Sequence, residues 1–259
     1  MTKSSSIITG LILANQINSQ LEAALDSLGK LGPVILLDTS PEQRCAKLRR
    51  PNLRVIHQST PRAEADFAAW RNQLIGACES EWFFFLDSDE VIDQAAELVI
   101  KDYLENWTSD QPPLAALQRV DYFWGEPLRH GETGNNWQIR LGRKREVKFE
   151  GRVHERATIG GRVPTFKRLT GQIKHTAHPS LHQFLESVSW YADLASERRA
   201  GSRPRVLAEL LTYPTGKFLL NYFWKRGWQD GWRGLIYALV MSHHSLWVRI
   251  YCYEKNFTQ

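Results

Sequence analysis

The chain has 259 residues, 42% of them hydrophobic and 24% charged, with a net charge of +5. This is an ordinary globular composition, able to bury a sizeable core in one large domain or in one domain with a helical appendage. Cys45, Cys78 and Cys252 are scattered and odd in number, which argues against a disulfide framework and a zinc site and fits a reducing compartment.

The predicted elements alternate from the start. Residues 7–13 form an apolar, β-branched strand. It follows a short polar beginning without a basic region, so it reads as a strand and not as a signal peptide. Leu21, Ala24, Leu25 and Leu28 fall at helical spacing, and Gly29 and Gly32-Pro33 end that helix. Residues 34–37 and 53–57 are further short strands. Phe67, Trp70, Leu74 and Ala77 make a helical stripe, residues 82–86 a fully apolar strand, and residues 93–104 the helix after it. Strands alternating with helices imply right-handed crossovers and a mainly parallel sheet. Such a sheet binds ligands beyond the carboxyl ends of its strands, where Asn15, Asp38 and Asp87 lie.

From about 113 to 178 the pattern changes to short strands at 115–120, 137–141 and 147–149, with many glycines and charges. This predicts an antiparallel or mixed extension of the sheet with long loops, where binding sites are usually built. From Leu181 the signal is helical, with a stripe of Leu181, Phe184, Leu185, Val188, Ala192 and Ala195. Gly201 and Pro204 break it, and Pro214 and residues 227–234 punctuate two or three further helices. The expected organisation is a domain over 1–180 in two halves, at about 1–110 and about 111–180. A helical extension follows over 181–259.

Charge is uneven along the chain. Residues 198–259 hold ten Lys and Arg against three acids, a net +7, which leaves −2 for the rest. The same segment is rich in Trp, Tyr and Phe. Basic and aromatic residues together point to a membrane surface or an anionic partner; charge alone fits a solvated helix face over an aromatic core. No stretch approaches the roughly 18 uncharged apolar residues needed to span a bilayer, so the expected location is cytoplasmic, with peripheral contact on an inner, anionic membrane face.

The chemistry centres on Trp82-Phe83-Phe84-Phe85-Leu86-Asp87-Ser88-Asp89-Glu90. An apolar strand delivers two carboxylates, one residue apart, into a loop before a helix. A divalent cation such as Mg²⁺ or Mn²⁺, held by oxygen ligands, relieves the negative charge of a nucleotide diphosphate leaving group. Asp89 is the expected metal ligand, with Asp87 supporting ribose and metal. The plain alternative is a turn with aspartate caps.

Arg71-Asn72-Gln73-Leu74, Glu81-Trp82 and Leu86-Asp87-Ser88-Asp89-Glu90 resemble the core of family 2 glycosyltransferases of the GT-A fold. Trp137-Gln138-Ile139-Arg140-Leu141, Gly151-Arg152-Val153-His154-Glu155, Lys174-His175 and Gly227-Trp228-Gln229-Asp230-Gly231-Trp232-Arg233-Gly234 extend the likeness to the lipopolysaccharide core β-glucosyltransferase subgroup. The resemblance implies a Rossmann-like α/β fold, with a mixed, mainly parallel sheet flanked by helices and a C-terminal helical extension. It implies inverting transfer of a hexose, glucose from UDP-glucose above all, to a glycan or glycolipid acceptor of the cell envelope. Asn15 and Asp38 resemble nucleotide-binding positions, although the segment after Asp38 departs from the family pattern.

Inverting transfer needs a general base within reach of the acceptor hydroxyl, and Glu155 is the candidate. His154 and His175 are candidate metal or diphosphate ligands. Arg140 and Arg143 suit phosphate, and Arg71 is placed near the nucleotide unless it pairs with Glu64 or Asp66. A metal-dependent phosphohydrolase using Asp87, Asp89, His154 and His175 stays open as an alternative. A nucleic-acid-binding protein using the basic tail leaves the acidic cluster without a purpose, so no nucleic-acid partner is expected.

Overall fold

A computed structural model describes residues 7–58, 66–151, 156–176, 180–197, 199 and 201–258. The chain divides into two compact units: Met1–Arg119 with Trp137–His175, and Val120–Asn136 with Thr176–Gln259.

The first unit is built on parallel strands β1 (Ile8–Ala14), β2 (Val34–Asp38), β3 (Leu53–His57) and β4 (Trp82–Asp87). β1 pairs with both β2 and β4, and β2 with β3. The helices between them are α1 (Ser19–Leu28) and α2 (Phe67–Ala77), with α3 (Gln94–Glu105) after the short β5 (Glu90–Ile92). Each helix starts where the sequence supplies an oxygen cap. Asn18 accepts from the Leu21 amide, Asp66 from Ala69 and Asp93 from Ala96.

The sheet continues through β6 (Leu114–Phe123), β8 (Asn136–Arg143) and β11 (Lys167–His175) in the order β3-β2-β1-β4-β8-β6-β11-β5, with β7 (Glu126–Leu128) on β6. β4 pairs antiparallel with β8, and β11 antiparallel with β5. A parallel half joined to an antiparallel half, with helices flanking it, is the mixed sheet that the resemblance implied. β9 (Lys148–Glu150) and β10 (Arg156–Thr158) form a separate antiparallel pair.

β4 shows why the sheet sits where it does. Its side chains alternate between the faces, so Trp82, Phe84 and Leu86 join the cluster around Leu21, Leu28 and Ile100. Phe83 and Phe85 join Leu11, Leu37, Leu74 and Phe149 on the other face. Burial at about 1.5–3 kcal/mol per large apolar side chain makes this the anchor strand, and it carries Asp87 at its end.

The second unit contains β7 and three helices, α4 (Leu181–Ser196), α5 (Arg203–Leu219) and α6 (Gly231–Phe257). A π-helical turn over Leu220–Trp224 and a 3-10 turn over Gly227–Asp230 connect α5 to α6. The helical extension was expected to begin at 181. Residues 120–136 belong to the same unit, because Phe123 and Leu128 share a buried cluster with Phe184, Val188 and Val240. Pro214 was expected to punctuate the helices. It lies inside α5 instead, where the Ser242 hydroxyl donates to its carbonyl at 2.7 Å and α6 packs along the helix.

Candidate active site

The parallel register sets Leu13 of β1 beside Asp87 of β4, and Ala14 beside Asp38 of β2. The strand ends named in the sequence therefore share one edge of the sheet, and Asn15 is exposed just beyond β1.

Asp87 is held by arginines. Arg140, rising from β8, donates through Nη2 to Asp87 Oδ2 at 2.7 Å and to Glu90 Oε1 at 2.6 Å. Arg71, from α2, reaches Asp87 Oδ1 at 3.4 Å, with its guanidinium over the rings of Phe85 and Phe149. Of the alternative partners of Arg71, Asp66 caps α2 by accepting from the Ala69 amide, and Glu64 lies outside the described residues. Arg119 Nη1 lies 3.9 Å from Glu90 Oε1, and the Asp87 amide donates to Glu90 Oε2 at 3.1 Å.

These contacts push two neighbouring carboxyls apart. Burial opposes ionisation of Asp87, but Arg140 and Arg71 outweigh it and hold its pKa well below the usual range. Glu90 is fully buried, and that burial, helped by the Asp87 charge, raises its pKa in spite of Arg140. Burial works against the Arg140 cation, yet Asp87 and Glu90 together drive its pKa further up.

Asp89 has different company. β11 pairs with β5 so that His175 stands opposite Glu90, and His175 Nε2 comes to 3.4 Å from Asp89 Oδ2. The two sequence candidates are thus adjacent.

 Asp89 and His175 are 86 positions apart in the chain; the β5–β11 pairing brings them together. Among the described residues no group of three His, Cys, Asp or Glu side chains could hold a metal ion by itself. One carboxylate oxygen beside one imidazole nitrogen fits a divalent cation such as Mn²⁺ whose other ligands come from phosphate and water; for Mg²⁺ the carboxylate alone is the suited ligand.

Asp38 faces inward. Its Oδ1 accepts from the Ser40 amide at 2.9 Å and the Ser40 hydroxyl at 2.6 Å, and its Oδ2 from the Cys45 amide at 2.8 Å. The carboxylate is fully buried, so it shapes the loop after β2 where direct contact with a nucleotide had been expected. Arg143 also departs from expectation. It pairs with Glu81 and Glu146 and covers Trp107, opposite Trp82 at the far end of β4. His154 and Glu155 lie outside the described residues. Glu90 and Arg119 were missed as site residues: Glu90 adjoins the Asp-x-Asp motif, whereas nothing near Arg119 in the sequence marks it.

The chain matches no known protein family among those compared. It is 23% identical over 194 residues to the lipopolysaccharide core biosynthesis glycosyltransferase LpsC of Rhizobium meliloti (strain 1021), covering 73% of this chain and 70% of LpsC. That likeness agrees with the resemblance read from the motifs. Among solved structures, S. aureus TarS 1-349 in complex with UDP aligns at 12% identity with a TM-score of 0.41, over 97% of this chain and 92% of that one. The same protein with UDP-GlcNAc aligns at 11% identity and a TM-score of 0.42, over the same shares.

Proposed function

We propose that this chain is an inverting glycosyltransferase that moves a hexose from a nucleotide diphosphate sugar to an acceptor hydroxyl of a cell-envelope glycan. The observation that carries the reading is the unequal treatment of the Asp-x-Asp pair: Asp87 is neutralised by Arg140 and Arg71, and Asp89 stands beside His175. The sequence likeness to LpsC supports both the reaction class and an acceptor of the lipopolysaccharide core kind. UDP-glucose is the donor that the motif resemblance favours.

In this reading Asp89 holds Mg²⁺ or Mn²⁺, with His175 as a further ligand for Mn²⁺. The cation supplies charge neutralisation for the leaving diphosphate. Arg140 and Arg71 fix the Asp87 carboxylate in its ionised form, ready to accept a hydrogen bond from a ribose hydroxyl. Asn15 and the loop shaped by Asp38 border the same sheet edge and contribute to nucleotide binding. Glu155 takes the proton of the acceptor hydroxyl.

The test is a screen of nucleotide sugars for donor hydrolysis and transfer, with and without metal, on the wild type, Asp89→Asn and Glu155→Gln. The expected result is metal-dependent release of a nucleoside diphosphate. Asp89→Asn should lower it by about 10²-fold or more, the usual worth of a group that stabilises transition-state charge. Glu155→Gln should keep donor binding and lose transfer by roughly 10²–10⁴-fold. Full activity in EDTA would refute the metal role, and hydrolysis of phosphate esters without action on any nucleotide sugar would favour a phosphohydrolase.

A further inference from the structure

The end of α5 and the turns that follow it expose a concentration of large apolar side chains. Leu207, Leu211, Leu219 and Phe223 recur at helical spacing and are all exposed, and Leu220 is exposed beside them. Trp224 is 84% exposed, and Phe223, Trp228 and Trp232 are each more than half exposed.

The backbone behind these rings is tightly built. Asn221 is buried, and a Cβ on Gly227 would come within 2.7 Å of the Asn221 carbonyl oxygen. A Cβ on Gly234 would meet the Gly227 carbonyl oxygen at 2.0 Å. The glycines therefore let the π-helical turn, the 3-10 turn and the start of α6 close on one another. Asp230 ties the same turn to the loop after β7, accepting from the Arg129 and His130 amides and bonding the His130 ring at 2.8 Å. The aromatics are presented outward from a fixed support.

Charge chooses the occupant. Lys225 and Arg226 are exposed within this surface, and no ion pair among the described residues engages either. The two acids of residues 203–233 are occupied elsewhere, Glu209 by Arg199 and Arg205 and Asp230 by His130. Exposed indole rings with uncompensated cations beside them match the headgroup level of an anionic bilayer.

We infer that the surface formed by Leu219, Leu220, Phe223, Trp224, Trp228 and Trp232, with Lys225 and Arg226, docks on an anionic lipid bilayer. This goes beyond the proposed transfer reaction and does not rest on it. It also narrows the expectation drawn from the whole basic tail. Lys217 is tied to Glu132 at 2.6 Å, Trp247 packs against the buried cluster of Phe184 and Val240, and Phe218 is half-buried, so none of these belongs to the docking surface.

The experiment is co-sedimentation of the full chain with vesicles of phosphatidylcholine alone or with phosphatidylglycerol, at low and high salt. Quenching of tryptophan fluorescence by brominated lipid in the wild type accompanies it. Binding should rise with phosphatidylglycerol and fall with salt. Each basic residue near an anionic surface is worth about five-fold in partitioning, so Lys225→Glu with Arg226→Glu should weaken binding by at least about 25-fold. Trp224→Ala should weaken it about ten-fold, with circular dichroism unchanged for both variants. Absence of wild-type binding or quenching at low salt would overturn the inference. So would binding that both variants retain, or self-association in ultracentrifugation that Trp224→Ala abolishes, which would make the face a contact between copies.

Discussion

Replacing Arg140 by Met tests the charge network at the site. The Arg140 guanidinium makes two short charge-assisted bonds, at 2.7 Å to Asp87 and 2.6 Å to Glu90, and both Arg140 and Glu90 are buried. Removing one partner of such a pair leaves uncompensated charge and costs about 3–5 kcal/mol. The loss should depend on pH in a definite direction. Glu90 already has a folded pKa raised above its ordinary 4.5, and without Arg140 it rises further. A folded state that binds a proton more tightly than the unfolded chain loses stability as pH rises above the unfolded pKa. Arg140→Met should therefore be less destabilised at pH 5 than at pH 8 in urea unfolding. Asp87 acts in the opposite sense in the wild type: its pKa is lowered from 3.8, so its contribution is present above that value and lost on acidification. Adding Glu90→Gln to Arg140→Met should restore about 1–3 kcal/mol at pH 8 by removing the buried charge. A loss below about 1 kcal/mol for Arg140→Met, or no recovery in the double variant, would refute the network.

Two further outcomes test how the site is supported. Gly171 in β11 has φ +101° and a Cβ there would lie 2.5 Å from Ala96 Cα of α3, so Gly171→Ala should cost about 2–3 kcal/mol in urea unfolding from strain and overpacking. Asp38→Ala removes the acceptor of the Cys45 amide and the group that, after burial itself, raises the Cys45 thiol pKa to about 11; the thiol should then react faster with a disulfide reagent, while an unchanged rate would show that Asp38 does not hold the loop.

The parallel half of the sheet was legible because its strands are short apolar runs bounded by turns, and its helices carry caps at Asn18, Asp66 and Asp93. β11 was not. Its burial alternates weakly, with only Leu169 and Ile173 buried among exposed Lys, Arg and Thr, so the sequence shows a charged stretch where the fold makes a strand between β6 and β5. That strand decides the position of His175. Pro214 misled for a different reason. A proline inside a helix loses a backbone hydrogen bond at about 3 kcal/mol, but packing of α5 on α6 offsets the loss, and that packing is not visible locally.

In sequence alone Asp89 is the expected metal ligand and Asp87 the support of ribose and metal, but what surrounds each is not visible there. In the fold Asp87 is the last residue of β4, so it stays level with the neighbouring strand and helix that supply Arg140 and Arg71. Asp89 lies past the strand, at the turn into β5, where the antiparallel partner supplies an imidazole instead. A carboxylate already paired with two guanidinium groups has little charge left to attract a cation, because the arginines satisfy it at short range. The strand end thus separates a carboxylate held ionised by arginines from β8 and α2 from one that stands beside a histidine, and the proposed function makes the second the metal ligand.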